Sequence, residues 1–346
     1  MTLLLALALA QVPPFTAEEI AATPGSTAFD NAIGRWTIEA EGADIWNNAD
    51  QFRFTHIALS GDAELIVRVV SLGPVTGTSY DQWAKAGVMI RQSTAAGSPH
   101  AFMPVTGNNG ASFQYRTTAD GGSGLTASTG GAFVPNRWVR LVRTGGSFSG
   151  FWSDDPAAGW NQVGGAVTVA MADPVRVGLA LTSHSDGNYV RGVFDRLRIT
   201  QNGVVIYEWR PPAPANLDAV GGFYQIEVSW DPVPGAQSYT LERAEGAGAF
   251  GVIASGLTAT SYTDVPLTPG PTYTYRVRAL INGAASLPSN VDSAVALVPP
   301  PRTSGNSEGL FDDQCACGST ARPAFPAAFA VLGFLILRRK RRSVPS

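Results

Sequence analysis

The sequence predicts an all-β protein, and three observations support this prediction. Val, Thr and aromatic residues are frequent in short segments, which is typical of β-strands. Turn-forming residues separate those segments, since 38 of the 346 residues are Gly and 24 are Pro. Between the two chain ends, no segment sustains the i, i+3, i+4 apolar spacing of an amphipathic helix. With 45% hydrophobic residues, the chain can also bury a sizeable core.

The N-terminal segment, MTLLLALALA, is an uninterrupted apolar run after its first two residues. It ends in Ala8-Leu9-Ala10, the small-x-small pattern of a signal-peptide cleavage site. We therefore expect a signal peptide over residues 1–10, a polar leader over residues 11–25, and an exported protein.

Two proline-rich stretches divide the rest of the chain. They are RPPAPANL at Arg210–Leu217 and VPPPRTSGNSEG at Val298–Gly309. Such stretches favour extended, semi-rigid backbone with little core of its own. We therefore predict a larger domain over residues 26–209, a smaller domain over 212–297, and a Pro/Gly/Ser-rich linker over 298–314.

The larger domain shows the two-residue period of β-strands. In the segment VRVGLALT, alternate residues share one strand face, namely Val175, Val177, Leu179 and Leu181. The segments DIWNNADQFRF, AKAGVMIR, WVRLVR and GLALTSH together resemble a concanavalin A-like jelly roll, of the type found at the end of bacterial and fungal β-xylosidases. The resemblance runs from Trp36 to Thr200. It implies two curved sheets, and its relatives often bind or cut glycans.

The smaller domain resembles a fibronectin type III domain over its whole length. Trp230 and Tyr239 occupy positions that this family buries between its two sheets. Leu267, Pro269 and Tyr273 match the corner in which a tyrosine hydroxyl bonds back to the backbone. The resemblance implies an immunoglobulin-like sandwich, and we expect it to act as a spacer.

The C-terminal segment contains the only two cysteines of the chain, Cys315 and Cys317. An apolar run over 323–337 and five basic residues at 338–342 follow them. This order resembles the myxobacterial-type C-terminal sorting domain (MYXO-CTERM). The resemblance implies a sorting tail over 315–346 with a transmembrane helix over 323–337, processing at the cysteines by a C-terminal sorting protease, and display at the cell surface or outer envelope. A metal-ligand pair, a C-x-C redox pair and a retained tail anchor are the alternatives.

The charge distribution argues against nucleic acid as a partner. The formal net charge is −3, and the terminal basic cluster contributes five positive charges. The remainder of the chain is therefore clearly acidic, whereas phosphate binding needs a basic face.

Catalytic motifs are missing from the sequence, so we expect a non-enzyme. Laminarinase-type hydrolases of the jelly-roll class carry Glu-x-Asp-x-x-Glu on one strand, and Glu39, Glu41 and Asp44 do not complete that spacing. The chain has three histidines, His56, His100 and His184, and no Gly-x-Ser-x-Gly elbow. The cluster from Ser183 to Asp186 suits hydrogen-bonded turn chemistry.

No cofactor and no metal site is predicted, with one alternative. Oxygen ligands at Asp154 and Asp155, or at Asp186 and Asn188, would suit a structural calcium ion.

The candidate binding face lies on three predicted strands, KAGVMIR, HAFM and SFQYR. If these strands are neighbours, one face carries planar donors beside apolar surface, namely Arg91, His100, Phe102, Gln114 and Arg116. Sugars suit such a face, because hydroxyls bond to polar groups while the C–H side of the ring lies on an aromatic. The leading prediction is therefore non-catalytic polysaccharide recognition. The alternative is an envelope structural or protein-interaction protein, and the third is a glycoside hydrolase or its accessory.

Overall fold

The computed structural model describes residues 15–301. This part of the chain is 55% strand and contains no helix, which confirms the all-β prediction. Within it, therefore, no helix is long and apolar enough to cross a membrane. The expected signal peptide (1–10), Cys315, Cys317 and the expected transmembrane helix (323–337) lie outside the described residues.

The first sandwich contains eighteen strands in the described chain. They are β1 (Thr16–Ile20), β2 (Ser26–Asp30), β3 (Arg35–Ala40), β4 (Ile45–Trp46), β5 (Ala49–Asp50), β6 (Phe52–Leu59), β7 (Ala63–Pro74), β8 (Lys85–Arg91), β9 (His100–Thr106), β10 (Ser112–Arg116), β11 (Ser123–Ser128), β12 (Arg137–Thr144), β13 (Ser147–Ser153), β14 (Asn161–Gln162), β15 (Val167–Thr168), β16 (Val175–Thr182), β17 (Val190–Gln201) and β18 (Val204–Glu208).

Most of these strands form two antiparallel sheets. The first sheet has the order β1-β6-β16-β8-β9-β10-β11, and the second has β14-β13-β12-β7-β17-β3-β2, with β15 beside β13 and β18 beside β17. The predicted face of β16 lies between the sheets, since Val175, Val177, Leu179 and Leu181 all belong to the main core. Strand alternation therefore identified the inward face correctly.

The first sandwich begins earlier than residue 26, the start expected from the sequence. Strand β1 pairs with β6 at the edge of the first sheet, and Ile20 is buried. The segment is short, and only one of its five residues is fully buried. A single apolar contact leaves no periodic pattern that a sequence could show.

The second sandwich has eight strands. They are β19 (Asp218–Gly222), β20 (Gln225–Ser229), β21 (Ser238–Glu245), β22 (Gly251–Leu257), β23 (Ser261–Asp264), β24 (Thr272–Ile281), β25 (Ala284–Ala285) and β26 (Asp292–Val295). One sheet has the order β19-β20-β23, and the other has β22-β21-β24-β25, with β26 beside β24. Trp230 and Tyr239 pack edge to face in the core, with ring centroids 5.5 Å apart. The Tyr273 hydroxyl donates to the Thr268 carbonyl at 3.2 Å, which confirms the predicted corner.

The two sandwiches contact each other through Trp209. This side chain belongs to the core of the second sandwich, and its Nε1 donates to the Asn31 carbonyl at 3.0 Å. Gly34 makes room for it, because a Cβ there would lie 2.1 Å from the indole. Phe29 and Ile33 of the first sandwich also pack against the second core. The proline-rich stretch that follows therefore does not keep the two sandwiches apart.

Candidate functional site

The predicted binding residues lie together, as the strand pattern indicated. Arg91 on β8 lies opposite His100 on β9, and His100 lies opposite Arg116 on β10. Phe102 on β9 lies opposite Gln114 on β10. All five side chains therefore share one face of the first sheet. However, each is at most 1% exposed, so this face is covered.

The cover is a short hairpin that we call the cap hairpin (residues 44–51), formed by β4 and β5. It inserts Ile45 into a small apolar cluster on this face, together with Phe52, Met89 and Phe102. Its backbone is fastened to the sheet, since the Trp46 carbonyl accepts a hydrogen bond from Arg116 Nη2 at 3.0 Å. The hairpin therefore closes the middle of a face that would otherwise be open to solvent.

Asp50 of the cap hairpin is the carboxylate that both buried arginines contact. Its Oδ1 accepts from Arg116 Nη2 at 2.6 Å, and its Oδ2 accepts from Arg116 Nη1 at 2.8 Å. The same Oδ2 accepts from Arg91 Nη1 at 3.1 Å and lies 3.6 Å from His100 Nδ1. Backbone carbonyls, including those of Ser93 and Gly121, accept from the remaining guanidinium nitrogens. A buried charge needs such complete pairing to be tolerated.

Asp50 is one carboxylate facing the two guanidinium groups of Arg91 and Arg116. A protonated His100 would therefore add a third positive charge without a counter-charge. Burial lowers the pKa of His100 to about 3, and Arg91 and Arg116 contribute to the shift. His100 is therefore neutral at neutral pH. Burial also lowers the pKa of Arg91 to about 10, so that group stays charged.

The expectation of an open sugar-binding face at these residues must therefore be corrected. Arg91, His100, Phe102 and Arg116 form the interior beneath the cap hairpin in this structure, and a ligand would not reach them. Of the five predicted residues, only Gln114 also lines an open pocket. The strand pattern placed the residues correctly on one face, but it did not show which segment covers that face.

The open pocket lies beside the cap hairpin and has a volume of about 230 Å³. We call it the aromatic pocket, and its lining is Asp44, Trp46, Trp83, Lys85, Gln114, Leu125 and His184. Both indoles are half-buried, and Leu125 is exposed. The pocket therefore combines two large apolar surfaces with amide, ammonium, imidazole and carboxylate groups.

Lys85 lies at the base of the aromatic pocket with its ammonium group held in place. Its Nζ donates to Asp44 Oδ1 at 2.5 Å and to the Ile45 carbonyl at 2.9 Å. The same nitrogen is 5.4 Å from the centre of the Trp46 ring, within cation–π range. Burial lowers the pKa of Lys85, and the charge of Asp44 opposes that shift.

His184 links two carboxylates at the rim of the pocket. Its Nε2 lies 3.4 Å from Asp44 Oδ2, and its Nδ1 lies 3.1 Å from Asp81 Oδ1. Its backbone has a φ of +57°, which is uncommon for a residue with a side chain. The turn is held by Ser183, whose hydroxyl donates to the Ser185 carbonyl at 2.7 Å.

Gln114 contributes an acceptor that lacks a partner. Its Nε2 donates to Ser112 Oγ at 3.0 Å. Its Oε1 is buried and accepts no hydrogen bond from any residue between 15 and 301. A buried carbonyl oxygen without a donor is costly unless water or a ligand supplies one. The amide therefore presents an acceptor that a hydroxyl group could satisfy.

Comparisons with known proteins give little beyond the fold. No family model matches the chain, and no curated protein matches it. Among solved structures, a functionally unknown protein from Saccharomyces cerevisiae is 16% identical with a TM-score of 0.41, and the match covers 54% of this chain and 96% of that one.

The chain also has fibronectin type III-like structural neighbours over part of its length. An Fn3-like protein from Clostridium thermocellum is 32% identical with a TM-score of 0.22, covering 26% of this chain and 95% of that one. A fibronectin type III domain of human fibronectin type III domain containing protein 3 is 24% identical with a TM-score of 0.24, covering 28% and 94%.

The remaining predicted residues serve local structure in the described chain. His56 Nε2 lies 2.6 Å from Glu18 Oε1, and Asp154 pairs with Arg137 at 2.9 Å. The Oδ1 of Asp155 accepts from the Ala157 amide. Within residues 15–301, no group of three or more His, Cys, Asp or Glu side chains is arranged to hold a metal ion.

Sequence reasoning missed Trp46, Trp83 and Lys85 as candidate site residues, although all three line the aromatic pocket. Trp46 and Trp83 lie in loop-like segments, DIWNNAD and YDQWAK, without a period that would orient them. Trp46 ends β4 next to Asn47, Trp83 lies in a turn next to Gln82, and this polar composition is the one signal that pointed to a surface site.

Proposed function

We propose that this protein recognises polysaccharide without cleaving it, and that the aromatic pocket contacts the sugar. The observation that carries the proposal is the placement of Trp46 and Trp83 around the unpartnered Oε1 of Gln114. A pyranose ring has an apolar C–H side that packs on an indole, and hydroxyls around its edge that bond to polar groups. The pocket offers both kinds of contact within one small space.

The size of the pocket restricts what it can hold. Pockets for drug-sized ligands usually measure roughly 300–1,000 Å³. The aromatic pocket, at about 230 Å³, is smaller. We infer that it takes one sugar unit or the end of a chain. The neighbouring cavity of about 580 Å³, which includes Asp81 and Ser183 in its lining, would continue the groove for further units.

The proposal of non-catalytic binding follows from how the nearby carboxylates are used. Asp44 accepts from Lys85 and faces His184, and Asp81 faces the same imidazole. Glycoside hydrolysis needs two carboxyl groups that flank the scissile bond, whereas the lining of the aromatic pocket contains one carboxylate, Asp44, which is already paired with Lys85. We therefore propose a binding protein.

A glycan array probed with the purified full-length protein tests this function. We expect binding to neutral polysaccharides, and we expect Trp83→Ala and Gln114→Ala to weaken it at least about tenfold, since each removes a central contact. The matched control is Trp160→Ala, a half-buried tryptophan outside the pocket, which should retain neutral-glycan binding. Melting temperatures of all variants separate lost contacts from lost structure.

Two results would overturn the proposal. One is a parent protein that binds no neutral glycan, which would favour the envelope-interaction alternative. The other is sugar release in a reducing-end assay, which would favour an enzyme. Arg91→Ala is unsuitable as a probe, because its guanidinium is buried against Asp50.

We also propose that the sandwiches are displayed at the cell surface by the C-terminal tail. Three features of the sequence support this proposal. They are the cysteine pair Cys315 and Cys317, the apolar run over 323–337 and the basic residues at 338–342. Intact-mass analysis of surface material should show a chain that ends near Cys315, and replacing Cys315 and Cys317 by Ser should leave the chain unprocessed. Recovery of the basic residues 338–342 on mature protein would instead indicate a retained anchor.

A further inference from the structure

A second cavity lies where the two sandwiches meet, and the proposed function does not use it. Its volume is about 490 Å³. The first sandwich contributes Trp138 and Trp160, and the second contributes the turn at Gly283. We call this cavity the junction cleft. It is more than twice the volume of the aromatic pocket, and it lies beside the second sheet rather than on the capped face of the first.

The junction cleft carries an excess of positive charge. Three arginines line it, namely Arg196, Arg198 and Arg210, against one carboxylate, Glu208. Glu208 accepts from Arg210 Nη2 at 2.8 Å, but lies 3.9 Å from Arg198 Nε, beyond hydrogen-bond distance. Glu208 is therefore shared between Arg210 and, at longer range, Arg198, and the three positive charges in the cleft face one negative charge. This contrasts with the acidic character of the chain up to residue 337.

Two guanidinium nitrogens in the cleft lack a hydrogen-bond acceptor. The Nε atoms of Arg196 and Arg198 are both buried, and no residue between 15 and 301 accepts from them. Arg196 is held in place at its other end, where Nη2 donates to the Asn282 carbonyl of the second sandwich. Both arginines are half-buried, and a buried N–H donor is costly to leave unpaired. Arg196 and Arg198 therefore offer N–H groups that a bound anion could accept.

The backbone aims Arg196 at the cleft through an irregularity in β17. The pairing of β17 with β7 shifts register between Asp195 and Arg198, and Arg196 has a φ of +58°. Bulges of this kind redirect side chains and are frequent next to functional sites. A non-glycine residue in the left-handed region is strained, and such strain also concentrates at binding sites.

Tryptophans form the apolar walls of the cleft. Trp138 and Trp160 are half-buried, and each has an arginine near its ring, Arg68 for Trp138 and Arg140 for Trp160, both 5.8 Å from the ring centre. Gly283 leaves the opposite wall without a side chain, and a Cβ there would lie 2.6 Å from Arg196 Nη2. The cleft thus joins planar apolar surface to arginines that outnumber their counter-charges.

From this arrangement we propose that the junction cleft binds an acidic sugar unit of a polysaccharide, one that carries a carboxylate or a sulfate. The anionic group accepts hydrogen bonds from Arg196 and Arg198, and the sugar ring packs on an indole. Charge-assisted bonds to arginine are short and directional, which suits both anions. The inference is independent of neutral-glycan binding at the aromatic pocket.

Calorimetric titration of the purified full-length protein tests the proposal with three probes: oligogalacturonate, a sulfated galactan oligosaccharide, and a neutral cello-oligosaccharide. We expect one or both acidic probes to bind, and their relative affinities identify the anionic group. Arg198→Gln and Trp160→Ala should each weaken acidic binding at least about tenfold. Raising the salt concentration should weaken binding of the parent protein, because exposed charge pairs are screened.

The matched control is Trp83→Ala, which removes an indole from the aromatic pocket and should leave acidic binding unchanged. Three results would overturn the proposal. They are absence of binding by both acidic probes, equal losses in Trp83→Ala and Trp160→Ala, and equally tight binding of inorganic polyphosphate, which would indicate attraction to any polyanion. Loss of neutral-glycan binding alone would contradict the proposed function and leave this inference intact.

Discussion

Asp50 and Arg116 form a two-pronged ion pair that is sealed from solvent, with both side chains fully buried. The two residues are 66 positions apart in the chain. Their pairing is what allows the cap hairpin to close over a face that carries two arginines and a histidine. The cap hairpin therefore contacts the sheet both through this ion pair and through the apolar contact of Ile45.

Removing this carboxylate should be severe. We expect Asp50→Ala to lower the free energy of unfolding by about 3–5 kcal/mol, because Arg91 and Arg116 would be left buried without a counter-charge. The control is Asp154→Ala, which breaks an ion pair whose carboxylate is 62% exposed and should cost at most about 1 kcal/mol. Urea denaturation of both variants checks the prediction. Equal costs would show that the cluster is hydrated in solution.

His100 should make the protein less stable in mild acid. Burial lowers its pKa to about 3, whereas the ordinary value is 6.5. Below pH 6.5 the unfolded chain takes up a proton that the folded chain does not accept until near pH 3. The stability that His100 provides above pH 6.5 is therefore lost as the pH falls, by about 1.4 kcal/mol per pH unit.

Comparison with His100→Gln isolates this effect. Between pH 7 and pH 5, the parent protein should lose about 2 kcal/mol more stability than the variant, since other groups contribute equally to both. Urea titrations at the two pH values provide the measurement. Parallel losses in parent and variant would mean that His100 takes up a proton in the folded state.

The two tyrosines of β24 should differ in their contributions. The Tyr275 hydroxyl donates to Asp264 Oδ2 at 2.8 Å in the core, and Arg243 Nη1 donates to the same oxygen at 2.8 Å. Tyr275→Phe should cost about 1.5–3 kcal/mol, the usual contribution of a hydrogen bond to a charged group. Tyr273→Phe loses only a bond to the Thr268 carbonyl and should cost about 1 kcal/mol. Chemical denaturation of both variants gives their free energies of unfolding. A larger loss for Tyr273→Phe than for Tyr275→Phe would contradict this ranking.

Trp209 should couple the two sandwiches. Trp209→Ala removes an indole from the second core and its bond to Asn31, so we expect a cost of about 3–5 kcal/mol. Hydrogen exchange should increase both in β24 and in the segment around Gly34. Trp230→Ala should cost a similar amount, but its effect should be confined to the second sandwich. Unchanged exchange around Gly34 in Trp209→Ala would mean that the contact carries no coupling.

Much of the fold could be predicted because strand alternation is a local property. The inward face of β16 followed from alternation within one segment, whereas the corner at Tyr273 followed from the resemblance to a fibronectin type III domain. The shared face of Arg91, His100 and Gln114 followed from alternation within each strand together with the assumption that the three strands are neighbours, which the structure bears out.

The accessibility of that face could not be predicted, since it depends on pairing between distant segments. A polar residue on the outer face of a strand is ordinarily solvated. Here the cover comes from a hairpin that is far away in the chain. The presence of Met89 and Phe102 among the polar residues was the available sign, because two large apolar groups on one outer face favour a partner. The contact of Trp209 with Asn31 could not be predicted for the same reason, because the two residues are 178 positions apart in the chain.

The cap hairpin also restricts how this protein can change over generations. Ile45 and Asp50 point into the sheet and hold it together, while Asp44 and Trp46 line the aromatic pocket. Neighbouring residues on one short segment are thus under different constraints, since one set packs on the sheet and the other lines the pocket. Under the proposed function, a substitution at Trp46 would alter ligand preference without removing Ile45 or Asp50, whereas a shift of the hairpin by one residue would exchange the two sets. Heritable variation in specificity should therefore arise by substitution within the hairpin, and insertions or deletions there should be selected against.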